Sequence, residues 1–248
     1  MSKGVLIVTG GSRGIGRATV LLAAARGYDV VFSYVSDEAA ARSLVAAVEA
    51  AGGKAVAVKS DIGSEADTLA LFAEADRHGP LVGLVNNAGV VDLPVRMDEV
   101  SVERLERMLR INVIGSIVAA REALKRMSTR HGGKGGAIVN LSSAAATLGS
   151  PGQYVHYAAA KGAIDVFTLG LGREVAAEGV RVNAIRPGLI DTDIHASGGI
   201  PDRVAQLRES IPMKREGTAE ECANAILWLI SDESSYTTAS VVTVSGGR

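Results

Sequence analysis

Val5-Leu6-Ile7-Val8-Thr9-Gly10-Gly11-Ser12-Arg13-Gly14-Ile15-Gly16 is the stretch on which the fold turns. Its first four residues form a short apolar run of strand character, and a helical pattern follows the last glycine. A strand, a glycine-rich turn and a helix N-terminus in that order bring backbone amides close to where a pyrophosphate can sit. The competing reading is an ordinary glycine-rich turn between strand and helix. The spacing Gly-x-x-x-Gly-x-Gly from Gly10 differs from the commoner Gly-x-Gly-x-x-Gly and points to a particular branch of dinucleotide binders.

Outward from this motif, strand-like runs near 4–9, 29–34, 54–59, 82–86, 136–141, 180–185 and 240–244 alternate with helical patterns. Such alternation predicts an α/β fold: a single-domain, Rossmann-type, doubly wound parallel sheet of about seven strands with helices on both faces. No interdomain linker or internal repeat interrupts residues 1–248, so one domain is expected to carry both dinucleotide binding and catalysis. His131-Gly132-Gly133-Lys134-Gly135-Gly136 precedes a strand and lacks the Lys-Ser/Thr ending of a phosphate loop, and reads as a mobile connection. The irregular stretch 187–217 holds Gly198-Gly199, Pro201 and Pro212, and a substrate lid is expected over about 188–217.

Composition narrows the partners. A net charge of −1 without a basic run, and an aromatic content of 4%, argue against a nucleic-acid groove or a base-stacking platform. The single cysteine, Cys222, cannot close an internal disulfide, and four histidines supply no Cys/His cluster at metal-ligand spacing. A reducing compartment and metal-free chemistry are expected. The run Val5–Val8 is too short for a signal peptide core or a membrane span, so no membrane partner and a cytoplasmic location are expected.

The chemistry concentrates in Tyr157-Ala158-Ala159-Ala160-Lys161. A phenol and an ammonium four residues apart share one helix face, and a nearby cation favours the phenolate. Tyr154 has Ala158 at the same spacing, so it lacks such a partner. Ala160, Ile164, Phe167 and Leu171 form the face that packs this helix. Another stripe, Leu105, Met108, Leu109, Asn112, Ile117 and Ala120, places the amide of Asn112 among apolar positions, where it needs hydrogen-bond partners. Ser142-Ser143 closes a predicted strand, at the sheet end where active groups of open α/β sheets gather. Tyr154, His156 and His195 read as pocket-wall or surface residues.

Taken together, the glycine motif, Asp61, Asn86-Asn87-Ala88-Gly89, Asn112, Ser143, Tyr157 with Lys161, and Pro187-Gly188 with Thr192 resemble the stations of a short-chain dehydrogenase/reductase over essentially the whole chain. The compact branch that includes 3-oxoacyl reductases and glucose dehydrogenases is the nearest in pattern. The resemblance implies a catalytic set of Asn112, Ser143, Tyr157 and Lys161, with Ser142 as competitor to Ser143 because the Ser143–Tyr157 interval is one residue longer than the family's commonest. It further implies cofactor contacts from Gly10, Ser12, Arg13, Gly14, Ile15, Gly16, Ser33, Asp61, Ile62, Asn87, Ala88, Gly89, Tyr157, Lys161, Pro187, Gly188, Ile190 and Thr192. Asp61 and Ile62 would border the adenine, and Pro187-Gly188 the nicotinamide half. In the family such an asparagine opens its helix and holds a water that links the lysine to solvent. A homotetramer is also implied, through the helices around 103–127 and 157–175, the helix carrying Cys222 and Trp228, and the last strand.

An NAD-specific site usually carries a carboxylate at the end of the second strand, and this chain reads Phe32-Ser33-Tyr34-Val35-Ser36 there. Asp37 reads as a first-turn helix acid behind a Ser36 cap. With no carboxylate to repel a 2′-phosphate, and Arg13 able to donate to one, NADP(H) is preferred and NAD(H) is possible. If Arg13 is a plain solvated side chain, either cofactor binds. The expected reaction is reversible hydride transfer between nicotinamide and a small-molecule carbonyl or secondary alcohol. A dinucleotide-binding sensor, and an epimerase or dehydratase without net redox change, are the alternatives from other classes.

Overall fold

A computed structural model describes residues 2–192 and 207–248. Its centre is a sheet of parallel strands in the order β3-β2-β1-β4-β5-β6-β7. In chain order these are β1 Val5–Val8, β2 Asp29–Tyr34, β3 Lys54–Lys59, β4 Leu81–Asn86, β5 Gly136–Leu141, β6 Val180–Pro187 and β7 Ser240–Val244. Parallel strands need long crossovers, and helices supply them. They are α1 Gly14–Ala25, α2 Glu38–Ala50, α3 Glu65–Asp76, α4 Val102–Leu109, α5 Gly115–Met127, α6 Ala145–Leu148, α7 Val155–Glu174 and α8 Ala219–Ile230.

Alternation along the strands builds two cores, because successive side chains leave opposite faces of a sheet. Leu6 and Val8 of β1 join Phe32, Val85 and Val139 under α1, α2 and α8, where Val20, Leu44 and Ile226 pack. Val5 and Ile7 turn the other way, to Leu84, Ile138 and Val182, and meet Phe72 of α3 and Ala119 of α5. Strands buried on both faces explain why β1 reads as an unbroken apolar run rather than an alternating one. The strand order reverses between β1 and β4, and a ligand crevice is expected outside the carboxyl ends of the strands at that point.

Three sequence expectations change in the structure. Asp37, not Ser36, caps α2, its Oδ1 accepting from the Ala40 amide at 2.9 Å. The 131–136 connection is pinned: the Gly133 amide donates to the Ser128 carbonyl, and that of Gly135 to the Met127 carbonyl. The helix around Asn112 opens into a π turn over Arg110–Ile114. That register shift turns the apolar stripe, so Leu109 and Ile117 stay exposed while Met108, Asn112 and Ala120 are buried. The lid residues 193–206, His195 among them, lie outside the described residues.

Candidate active site

At the crevice, the β1 and β4 ends are laced together. Thr9 Oγ1 accepts from the Asn87 and Ala88 amides, both at 3.0 Å. In return, Asn87 Nδ2 donates to the Thr9 and Gly10 carbonyls at 2.9 and 2.8 Å. The Gly10 amide donates to Ser33 Oγ at 2.9 Å, which fixes the turn against the end of β2. Gly10 and Gly14 hold φ values of 64° and 54°, in the left-handed region that favours glycine. Arg13 occupies the cap position of α1 and makes no side-chain cap bond, so the first amides of α1 carry no side-chain acceptor. A cradle of glycine backbone against an uncapped helix N-terminus has the donors and the dipole that a pyrophosphate needs.

The chemical end comes from β5, α7 and the π turn. Lys161 crosses to β5, its Nζ donating to the Leu141 carbonyl at 2.8 Å. The same Nζ lies 5.7 Å from the centroid of the Tyr157 ring, and Tyr157 and Ser143 line the same cleft. Ser142 points elsewhere: its hydroxyl donates to the Lys161 carbonyl at 3.2 Å, inside the protein. Asn112 is fully buried and clasps the segment after β4, accepting from the Val90 amide at 3.2 Å and donating to the Val90 carbonyl at 3.0 Å. Its amide also donates to the Met108 carbonyl one turn back, at 3.1 Å, which compensates the opened turn. A Cβ on Gly89 would lie 2.7 Å from Asn112 Oδ1 and 3.4 Å from Lys161 Nζ, so glycine leaves room for both groups.

These elements enclose one cleft of about 550 Å³. Every residue expected to catalyse or to hold cofactor lines it except Gly16, which is buried behind the loop. Tyr154 lines the cleft as expected. His156 does not: it is buried, neither pocket wall nor surface. Sequence reasoning missed Val90, Ile111, Arg110 and Arg248 as lining residues. Ile111 and Arg110 directly precede Asn112 and were findable from it. Arg248 had no local signal, because the parallel pairing of β7 with β6 is what carries the segment after Val244 to Gly188.

Comparison with known proteins gives this geometry a family. The sequence model described as enoyl-(acyl carrier protein) reductase matches residues 10–248. The uncharacterized oxidoreductase YgfF of Escherichia coli strain K12 is 51% identical over 245 residues, spanning 98% of this chain and 99% of that protein. The chain belongs to the short-chain dehydrogenase/reductase family. Two similar solved structures carry cofactor: a blue fluorescent protein from a metagenomic library in complex with NADPH, and a short-chain dehydrogenase of Burkholderia cenocepacia J2315 in complex with NADP. The first has a TM-score of 0.90 at 34% identity, covering 99% of this chain and 98% of that one. For the second the TM-score is 0.91 at 30% identity, with the same coverage of 99% and 98%. As a short-chain dehydrogenase/reductase the protein is an oxidoreductase of alcohol and carbonyl groups.

The electrostatics of this short-chain dehydrogenase/reductase site depart from one expectation. Burial pushes the Tyr157 phenol above its ordinary value and the interaction with Ser143 draws it back, whereas a net lowering by Lys161 was expected. Burial also pushes Lys161 down to about 8, opposed by the charge of Asp165. Desolvation therefore outweighs the Ser143 interaction at Tyr157 and the Asp165 charge at Lys161. Among the described residues, no cluster of His, Cys, Asp and Glu is arranged to hold a metal ion, and no helix is long and apolar enough to cross a membrane.

His156 adds a pH dependence of its own. Burial pushes its imidazole below the ordinary 6.5, Arg104 adding to the effect and Asp92 opposing it, and neither ring nitrogen has a hydrogen-bond partner. Below that ordinary value the unfolded chain takes up a proton that the folded chain resists, so stability falls as pH drops from about 6.5 through the folded value. Thermal denaturation across this window is expected to show a shallower acid loss for His156→Phe than for the native chain. Equal slopes would assign the acid sensitivity to other groups.

Proposed function

We propose that the protein is an NADP(H)-dependent oxidoreductase that interconverts a carbonyl and a secondary alcohol on a small molecule. The observation that carries this reading is the meeting of Ser143, Tyr157 and Lys161 in the same cleft as the uncapped glycine cradle. The glycine turn and Ser12 would hold the pyrophosphate, Asp61 and Ile62 the adenine, and Pro187, Gly188, Ile190 and Thr192 the nicotinamide half. When bound, the nicotinamide supplies or accepts the hydride. Tyr157 gives the proton to the nascent alcohol in reduction and takes it back in oxidation. Ser143, in the same cleft as Tyr157, orients the substrate oxygen toward the phenol. Lys161 places positive charge beside the ring and would bind the nicotinamide ribose, and Asn112 holds the turn through which protons reach it.

The preference for NADP(H) rests on the end of β2. Asp37 spends its Oδ1 on the Ala40 amide, while Arg13 is exposed beside the cradle and makes no ion pair among the described residues. NAD(H) is the second reading, favoured by the presence of Asp37 in the cleft wall. Fluorescence titration with NADPH and NADH separates the two. The native chain should bind NADPH more tightly, and Arg13→Ala should weaken NADPH by about 10-fold or more, as expected for a charge-assisted contact, with NADH nearly unchanged. Parallel loss of both cofactors, or a native preference for NADH, would remove Arg13 from the role.

We further propose that one domain does this work in the cytoplasm as a homotetramer, with residues about 188–217 as its lid. Support for assembly comes from large apolar side chains left exposed on the helices concerned: Val102 and Leu109 on α4, Val166 on α7 and Trp228 on α8. Sedimentation should return four chain masses, and a monomer mass would sink the assembly.

A further inference from the structure

Behind the Tyr157–Lys161 pair lies a charged couple that the proposed chemistry does not use. Asp165 stands one turn beyond Lys161 on α7, and both side chains are buried. Arg186, on β6 just before Pro187, reaches Asp165 Oδ2 through Nε at 2.9 Å and through its terminal nitrogen at 2.8 Å. Both contacts fall on the same oxygen. Asp165 Oδ1 is buried without a hydrogen-bond partner.

A carboxylate that served only to tie α7 to β6 would satisfy both oxygens with the planar guanidinium, since two parallel bonds are the stable geometry for such a pair. Leaving one buried oxygen unpaired is costly, and it is borne by a buried carboxylate one turn from Lys161 on the same helix. Among the described residues the lysine side chain, in turn, has a single hydrogen bond, to a neutral carbonyl. Lys161 is flanked on its own helix by Tyr157 and, one turn on, by the buried Asp165; Ser142, Ser143 and Asn112 line the same cleft, and Arg186 pairs with Asp165 from β6. Asp165 is the one carboxylate among them.

We propose that Asp165, gripped by Arg186, is a positioning residue that keeps the Lys161 ammonium charged inside the site. The inference rests on the Tyr157–Lys161 reading given above. Burial drives Lys161 toward the neutral amine, and the Asp165 charge acts against it. Without Asp165 the amine loses its proton at lower pH, and the positive charge beside Tyr157 goes with it.

The experiment is the pH profile of kcat/KM, with NADPH affinity measured over the same range as a second readout. In the native protein the alkaline limb should fall near about 8. In Asp165→Asn it should move down by about one unit, the displacement expected when an opposite charge is removed from a buried lysine. Asp165→Glu should restore it. Because Asp165→Asn strands Arg186, the double variant Asp165→Asn/Arg186→Gln separates tuning from packing. Thermal stability should recover in the double variant while the alkaline limb stays displaced. A limb that returns with stability, or never moves in either variant, would make the pair a structural tie and overturn the proposal. Should the single variant fail to fold, the limb of the double variant against the native one decides alone. If Tyr157→Phe leaves turnover intact, the reading of the site fails instead, whatever Asp165 does.

Discussion

Replacing Tyr157 with Phe should cut turnover by roughly 10²–10⁴-fold, the range that a positioned general acid contributes, while NADPH affinity stays within a few-fold of native. The two effects separate because they depend on different groups. The phenol lies with Ser143 and Lys161 at the chemical end of the cleft, whereas the cradle is built from backbone at Gly10–Gly16 and from the Asn87 clasp. The ring itself keeps its place in the variant, since α7 is held by Ala160 and Ile164 in the core. Steady-state rates and fluorescence titration check both halves. A variant that loses affinity and turnover together would show a damaged fold rather than a missing proton donor.

Gly16→Ala should fail at the other end of the cleft. A Cβ there would sit 2.6 Å from Asn87 Nδ2 and would also collide with the Gly10 carbonyl oxygen. Asn87 cannot retreat without releasing the Thr9 and Gly10 carbonyls that it holds. The substitution therefore pries the glycine turn from β4, with an expected stability loss of about 1–3 kcal/mol, typical of overpacking, and a drop in dinucleotide affinity of at least about 10-fold. Gly162→Ala is the control, because a Cβ at that helical position meets nothing within 4 Å. Its stability should match or exceed native by up to about 1 kcal/mol, from the better helix propensity of alanine. Chemical denaturation and NADPH titration of the two variants side by side check the contrast.

Much of this architecture was legible because the signals are periodic. The strands over 29–34, 54–59, 136–141 and 240–244 appear where the apolar runs place them; β2 and β5 are buried on both faces, whereas β3 and β7 are partly exposed edge strands marked by their β-branched residues. The burial of Asn112 followed from its place in the stripe, but the π turn around it did not. One extra residue in a helical turn is a choice of hydrogen-bond register, made by the clasp with Val90 and Met108, and apolar spacing does not encode it. The same holds at Ser142 and Ser143. Both are small polar residues at a strand end, and the packing of Ser142 against the Lys161 carbonyl separates them. The direction of the Tyr157 shift was misread for a related reason: the sequence announces a neighbouring cation, whereas burial emerges only when β5, α7 and the β4 turn come together.

The most direct test follows the hydride. Native protein and Tyr157→Phe would each be given reduced cofactor deuterated on the nicotinamide ring together with a panel of ketones and aldehydes, and the products read by mass spectrometry. The account predicts deuterium on the carbinol carbon of at least one product from the native protein, and a rate of labelling lower by roughly 10²–10⁴-fold in the variant. Equal labelling by both proteins, or cofactor binding with no label reaching any carbonyl, would contradict it.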